Sequence, residues 1–329
     1  MIITRTPFRI SFFGGGTDYP VWFRDNGGQV LSSSIDKYCY ITARHLPPFF
    51  ENKSRIVWSK IELVNNISEI QHPAIRGILD HLDLNDGIEI HHAGDLPSRS
   101  GIGSSSSFTV GLLNALHSIK GNPLGQKDLA TAAIHIEQNI LNENVGSQDQ
   151  IAAALGGFNK LIFNKDGSFE AIPIDINDSY IKELQDHLAL FFTGLSRNAS
   201  EIAEEQIRET PKKRQELEAM HKLVDEAMLI LEKKSDVREF GKLLDKTWKI
   251  KRSLTKSISN KHIDDMYERG IAAGAIGGKL LGAGGGGFML FFVEPEKRHK
   301  LIEEFKDLVH VPFSFEAEGS TIIHNKELK

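Results

Sequence analysis

Three glycine-rich stretches and four charged side chains carry the chemistry available to this chain. The stretches are Gly14-Gly15-Gly16, the run Gly101-Ile102-Gly103-Ser104-Ser105-Ser106-Ser107, and residues 282–287; the charged groups are Arg9, Asp18, Glu137 and Asp149. The central run lies in Asp95-Leu-Pro-Ser-Arg-Ser-Gly-Ile-Gly-Ser-Ser-Ser-Ser-Phe-Thr-Val-Gly-Leu112 and leads into an apolar-periodic segment, Phe108 to Ile119, that reads as a helix. Serines at a helix start bring together unpaired backbone N–H groups and the positive end of the macrodipole, so an anion placed there meets several donors. Gly101 and Gly103 carry no Cβ and tolerate positive φ, which lets the main chain approach that anion. The stretch reads as a polyphosphate cradle, beside the plainer alternative of a loop with a serine cap. It lacks the lysine of the P-loop, and Ser106 stands where the dinucleotide fingerprint needs its third glycine.

The elements around these residues are readable in outline. Residues 1–13 alternate as a strand ending in Phe12-Phe13, broken by the glycines and the turn Thr17-Asp18-Tyr19-Pro20. Gln29 to His45 gives one or two strands, ended by Pro47-Pro48. Residues 51–66 suggest a hairpin, Pro73 to Leu84 a helix, and Gly87 to His92 a strand feeding the serine loop. Gln126 to Asn142 has helical spacing, Gly146-Ser-Gln-Asp-Gln150 interrupts it, and Ile151 to Leu155 resumes it. Two strands, Phe158–Phe163 and Phe169–Ile174, precede a polar stretch from Asp175 to Leu188 that marks a domain boundary near residue 180. His187–Phe192 opens the second half as a buried strand, and residues 199–257 are helical, with Pro211 at a helix start. A helix from Lys261 to Ala273, two strands joined through glycines over 277–293, a helix from Glu294 to Val309 and a strand from Ser314 complete the chain.

Composition narrows the function classes. A chain of 329 residues that is 40% hydrophobic and 25% charged has material for one large domain or two and excludes disorder. A net charge of −5 argues against a broad nucleic-acid surface but allows a local cationic pocket. Cys39, the single cysteine, excludes an intramolecular disulfide and a cysteine metal cluster. No stretch approaches the roughly 18 apolar residues that span a membrane, so a cytoplasmic protein without a membrane partner is expected. His91 and His92 alternate across a strand and make a poor metal pair. Trp58 reads as a core residue rather than an adenine platform.

Taken together, three segments resemble the GHMP kinase superfamily over nearly the full length. They are Thr6-Pro-Phe-Arg-Ile-Ser-Phe-Phe-Gly-Gly-Gly-Thr-Asp-Tyr19, Leu96-Pro-Ser-Arg-Ser-Gly-Ile-Gly-Ser-Ser-Ser106 and Lys279-Leu-Leu-Gly-Ala-Gly-Gly-Gly-Gly287. The resemblance implies an α+β two-domain GHMP kinase architecture. A ribosomal S5 domain 2-like, ATP-binding N-terminal domain would span 1–180 and a ferredoxin-like C-terminal domain 181–329. It implies ATP as phosphoryl donor with Mg²⁺ held by Ser105 and Glu137, Ser104 being the adjacent alternative. Arg99, Ser100, Gly101, Ile102, Gly103, Ser104, Ser105 and Ser106 would bind the ATP phosphates. Asp149, in a Gly-x-x-Asp-Gln setting, would be the catalytic carboxylate, either abstracting the acceptor's proton or orienting its hydroxyl. Arg9 would balance that carboxylate and stabilise the transferring phosphoryl group.

Gly14, Gly15, Gly16, Thr17, Asp18 and Tyr19, with Gly284 and Gly285, would bind the acceptor. Galactokinases place Gly-Glu-His where this chain has Gly14-Gly15-Gly16, which puts galactose in doubt. The pattern looks most like the branch that phosphorylates D-glycero-D-manno-heptose 7-phosphate at O1, with L-fucokinase-like or other sugar-1-kinases as the nearest alternative. A catalytically silent ATP and sugar sensor is the alternative of a different class. A 7-phosphate calls for a cationic pocket, for which Arg197 comes first and Arg24, Arg99 and Lys160 follow. The partners implied are a small-molecule sugar phosphate and ATP, with no nucleic acid. The oligomeric state stays open, a homodimer among the states allowed.

Overall fold

Strand β1 (Ile2–Phe13) carries Arg9 and Ser11 into the middle of the molecule, because every residue from Thr6 to Phe13 is buried. The computed structural model describes residues 1–195 and 199–326. After β1 come helix α1 (Pro20–Asn26), the long strand β2 (Gly28–His45), the hairpin β3 (Ser54–Val57) and β4 (Ile61–Val64), α2 (Pro73–His81) and β5 (Ile88–Gly94). Next are α3 (Ser104–Ile119), α4 (Gln126–His135), α5 (Gln148–Leu155), β6 (Phe158–Phe163), β7 (Phe169–Pro173) and α6 (Asp178–Asp186). The second half holds β8 (Leu188–Phe192), α7 (Ala199–Glu209), α8 (Arg214–Glu232), α9 (Arg238–Lys251), α10 (Lys261–Ala272), β9 (Ala275–Leu280) and β10 (Phe288–Val293). It closes with α11 (Arg298–Glu304), β11 (Val309–His310) and β12 (Thr321–Asn325).

Among the described residues two sheets result, an α+β arrangement. The larger has eight strands, in the order β12-β1-β2-β5-β3-β4 with β6 paired to β2 and β7 to β6; the smaller is β11-β8-β10-β9. Helices α3 and α5 pack on β1 and β2, while α9 and α10 pack on β9. An aromatic cluster joins the halves: Phe240 of α9 meets Phe12 at 5.4 Å and Phe13 at 4.9 Å between ring centroids, both edge-on. Such pairs add to the area they bury. Lys279 of β9 ties the halves again by donating to the Ser11 carbonyl at 2.7 Å and the Phe12 carbonyl at 2.8 Å.

Several elements differ from their sequence expectation. The last strand does not stay with the second half: β12 pairs antiparallel with β1, and Phe315 bridges Ile35, so the C-terminal segment returns to the first sheet. Such long-range pairing leaves no local sequence signal. Within the polar stretch 175–188 the chain forms α6, capped by the Asn177 side chain and anchored by buried Tyr180 and Leu184 one turn apart. The expected helix over 294–309 shortens to α11, because Val309 is drawn off to pair with Phe192 at a sheet edge. Pro211 opens a single 3₁₀ turn, and α8 starts at Arg214.

Candidate active site

The serine run does not precede its helix but forms its first turn, since α3 begins at Ser104. Gly103 precedes it in the left-handed region at φ 73°, and no side chain among the described residues caps the turn. The helix therefore presents its first N–H groups uncapped. Beneath Gly103 lie Arg9 and Asp149: a Cβ there would sit 3.3 Å from Arg9 Cγ and 3.4 Å from Asp149 Oδ2. Arg9 is buried and donates through Nε to Asp149 Oδ1 at 2.7 Å, through Nη2 to Oδ2 at 2.8 Å, and through Nη1 to the Gly101 carbonyl at 2.8 Å. The backbone of Arg9 also donates to the Ile102 carbonyl at 3.1 Å. One arginine thus joins β1, the central loop and the first turn of α5. The Asp149 side chain keeps about a quarter of its surface open, 26%.

Asp18 belongs to the same cluster. Its carboxylate is buried and accepts from the Gly16 N–H and from Gln148 Nε2, each at 2.9 Å. Burial pushes its pKa up, those two hydrogen bonds pull against that rise, and the charge of Asp149 adds to it. Tyr19 is buried beside these charges, and burial raises its phenol well above the usual range. The Ser147 N–H donates to the Asp18 carbonyl at 3.0 Å, which holds the Asp18 turn against the start of α5.

Glu137 occupies a π-helical turn, Ile136–Ile140, that continues α4 and turns its side chain inward. Such turns often mark functional positions. The carboxyl is fully buried, and burial lifts its pKa to about 7 even though Thr109, Ser106 and Gln150 hydrogen-bond to it. Ser106 Oγ does so at 2.8 Å, and Gln150 Nε2 makes a second, short contact. Ser105, the serine expected to hold Mg²⁺ with Glu137, is exposed at the helix start, while Ser106 is the serine that donates to Glu137. Consecutive helical residues point about 100° apart, so a start at Ser104 decides which serine turns inward.

Other assigned residues separate into those at the cluster and those beside it. Thr17 is no free ligand, since its hydroxyl donates to the carbonyls of Gly14 and Gln29 and accepts from the Gln29 N–H. Gly14 packs against Gln29 and Val224, whereas Gly15 and Gly16 border the Asp18 turn. Gly284 and Gly285 lie against the Ile258 backbone, and Gly285 N–H donates to its carbonyl at 2.9 Å; they latch the loop after α9. Gly282 and Gly287 are the glycines that touch the central loop, at Gly101 and Ser100. Ser100 is buried, its hydroxyl directed to the Pro97 carbonyl, while Arg99 is exposed with φ 59°. Of the proposed phosphate cations, Arg24 is exposed, Lys160 pairs with Asp225 at 2.9 Å, and Arg197 lies outside the described residues.

Sequence reasoning missed the two lysines that support this floor. Lys251 is buried at the end of α9, donating to the carbonyls of Leu280 and Gly282; burial and then the charge of Arg9 bring its pKa down to about 7. Lys279, noted only for its place beside the third glycine run, is lowered further by burial and by Lys251. An isolated lysine in an otherwise apolar, glycine-rich strand was the available signal for Lys279. Of the residues flanking Asp149, Gln150 is the glutamine of the Gly-x-x-Asp-Gln segment, whereas Gln148 had no such signal.

With this geometry in view, comparison with known proteins is direct. The GHMP kinases N terminal domain matches residues 65–157, and the GHMP kinases C terminal domain matches residues 220–310. The chain belongs to the GHMP kinase family and is a phosphotransferase with an alcohol group as acceptor. It is 32% identical to the D-glycero-alpha-D-manno-heptose 7-phosphate kinase of Campylobacter jejuni, over 97% of each chain. It is 24% identical to the mevalonate kinase of Pyrococcus abyssi over 93% of this chain and 92% of that one. Its fold matches a D-glycero-D-manno-heptose 1-phosphate kinase from Bacteroides thetaiotaomicron with a TM-score of 0.79 at 24% identity, covering 99% of this chain and 100% of the other. Among the described residues, no helix is long and apolar enough to cross a membrane.

Proposed function

We propose that the protein is an ATP-dependent sugar kinase that phosphorylates the anomeric O1 of D-glycero-D-manno-heptose 7-phosphate. The product is the 1,7-bisphosphate, on the way to nucleotide-activated heptose for bacterial surface polysaccharide. Its class rests on the bidentate Arg9–Asp149 pair beneath the uncapped start of α3. The acceptor rests on the 32% identity to the Campylobacter enzyme across 97% of both chains.

The ATP phosphates lie at the α3 N-terminus, where Gly101 and Gly103 admit them to the backbone N–H groups. Residues 1–180 form the ATP-binding unit and 181–329 the C-terminal unit, with β12 crossing back. Asp149, oriented by Arg9, accepts the hydrogen bond of the acceptor hydroxyl; as that oxygen bonds to the γ-phosphorus and the bond to ADP breaks, the proton passes toward the carboxylate. Arg9 offsets the charge that gathers around the transferring group. The Glu137 carboxyl is lined by the hydroxyls of Thr109 and Ser106, and Gln150 Oε1 beside it is buried with no hydrogen-bond partner among the described residues, a set of hard oxygen donors that fits Mg²⁺. Glu137 and Ser106 would hold it, with Ser105 adjacent, and the ion would supply charge neutralisation at the β- and γ-phosphates. Asp18 orients the sugar by accepting from its hydroxyls.

A coupled ADP-release assay with Mg-ATP tests this reading, comparing the heptose 7-phosphate with L-fucose and galactose. Turnover on the heptose phosphate is expected. Turnover on fucose alone would move the acceptor to the fucokinase alternative, and none on any sugar would favour a sensor.

A further inference from the structure

Gly15, beside the Asp18 turn, has room for one carbon between two polar side chains. A Cβ there would meet nothing closer than Ser11 Oγ at 3.7 Å and Gln148 Nε2 at 3.9 Å. The neighbouring glycine has no such room, since a Cβ on Gly16 would come within 2.7 Å of Gln206 Nε2 on α7. Ser11 and Gln148 are each more than nine-tenths buried, at 5% and 8% exposure. Ser11 Oγ and Gln148 Oε1 nevertheless have no hydrogen-bond partner among the described residues. Two orphaned polar atoms on the side chains that flank Gly15 are costly unless something completes them.

The Gln148 amide is held in place, because its Nε2 donates to Asp18 Oδ2 at 2.9 Å. That bond uses the amide's donor end and leaves the carbonyl end as the acceptor. Gln148 also directly precedes Asp149 in the first turn of α5, so its side chain departs from the backbone that delivers the reacting carboxylate. A hydroxyl completes both atoms at once, because it can donate to Gln148 Oε1 and accept from Ser11 Oγ. A polyol presents such a hydroxyl next to the one being phosphorylated.

We propose that Gln148 and Ser11 are specificity-determining residues that read the sugar hydroxyl vicinal to the phosphorylated one. Gln148 Oε1 accepts from it, Ser11 Oγ donates to it, and Asp18 fixes the amide. This rests on the sugar-kinase reading above, with O1 as the reacting oxygen and O2 as the hydroxyl read. A site built to bond a hydroxyl rejects an analogue lacking it strongly, because its own buried groups are then left unpaired.

The test compares kcat/KM for D-glycero-D-manno-heptose 7-phosphate and its 2-deoxy analogue in the wild type, Gln148→Met and Ser11→Ala, with the KM for ATP as a control for folding. The wild type is expected to favour the hydroxylated sugar by roughly tenfold or more. In Gln148→Met that ratio should collapse toward one, through loss on the hydroxylated sugar, while the KM for ATP holds. Ser11→Ala, a smaller change that leaves the Gln148–Asp18 bond intact, should narrow the ratio by itself. An unchanged ratio in both variants overturns the inference alone. If the wild type binds ATP yet turns over neither sugar, the functional reading fails and the inference falls with it.

Discussion

Arg9 grips both oxygens of Asp149 while its third nitrogen holds the Gly101 carbonyl, so the carboxylate is fixed to the same loop that opens α3. Lysine has one donor centre and cannot reproduce that fork. Asp149→Asn should therefore lower kcat by roughly 10²–10⁴-fold with little change in the KM for ATP. Arg9→Lys should lose much of the same activity while keeping the charge. Arg9→Lys combined with Asp149→Asn should cost far less than the two losses added, since the pair acts as a unit. Steady-state kinetics on the four proteins decide it, and additive losses would show two independent roles.

The central and third glycine loops meet backbone to backbone. A Cβ on Gly282 would fall 2.3 Å from Gly101 Cα, and one on Gly101 would fall 2.5 Å from the Leu281 carbonyl oxygen; both residues have positive φ, 70° and 83°. No side-chain rotation can relieve either contact. Gly101→Ala and Gly282→Ala should each cost about 1–3 kcal/mol from the backbone conformation alone, with the contact added to it. The KM for ATP should rise because the loops are forced apart. By contrast, Gly121→Ala meets nothing within 4 Å and shares only the positive φ, so urea midpoints of the three variants separate strain from contact. Equal midpoint shifts in all three would rule the loop contact out as a contributor.

Much of this arrangement was legible in the sequence, for reasons that differ by residue. Arg9, Asp18 and Asp149 stand in glycine-bounded segments whose type and order already point to phosphate chemistry, and the structure gathers them into one cluster. The alternation of residues 1–13 in sequence and the apolar period of α3 made those elements readable from local physics. That Ser106 is the serine that donates to Glu137 was not readable from the run, because a shift of one residue at a helix start turns the side chain by about 100°. Thr17 looks like a ligand in sequence but spends its hydroxyl closing a turn against Gln29, a partner twelve residues away. The return of β12 to β1 rests on pairing across nearly the whole chain. Gln148 and Ser11 gain their meaning from missing hydrogen bonds, which only coordinates reveal.

Arg197 follows β8 and precedes α7 in sequence and lies outside the described residues. The acceptor proposed here carries a phosphate, and the other candidate cations are exposed or, for Lys160, already paired with Asp225. Arg197→Ala should raise the KM for the heptose 7-phosphate by roughly tenfold or more, the scale of a charge-assisted hydrogen bond, and leave the KM for ATP near its wild-type value. Equal rises for both substrates would show a general effect on the enzyme and remove Arg197 from the phosphate pocket.

Glu137 should make the stability of the metal-free protein depend on pH in a definite direction. Burial raises its pKa from 4.5 to about 7, so the folded state prefers the protonated acid. The stabilising contribution is complete below pH 4.5 and is lost as pH rises through about 7. A shift of this size corresponds to about 3 kcal/mol between the two limits. Glu137→Gln removes the titration and keeps the shape, so its melting temperature in chelator should exceed that of the wild type at pH 8 and approach it at pH 5. A cation held by the ionised carboxylate reverses the penalty, and Mg²⁺ should therefore raise the melting temperature of the wild type at pH 8 but not that of Glu137→Gln. Melting curves that run parallel from pH 5 to pH 8, with and without Mg²⁺, would show that the buried carboxyl neither titrates in this range nor receives the ion.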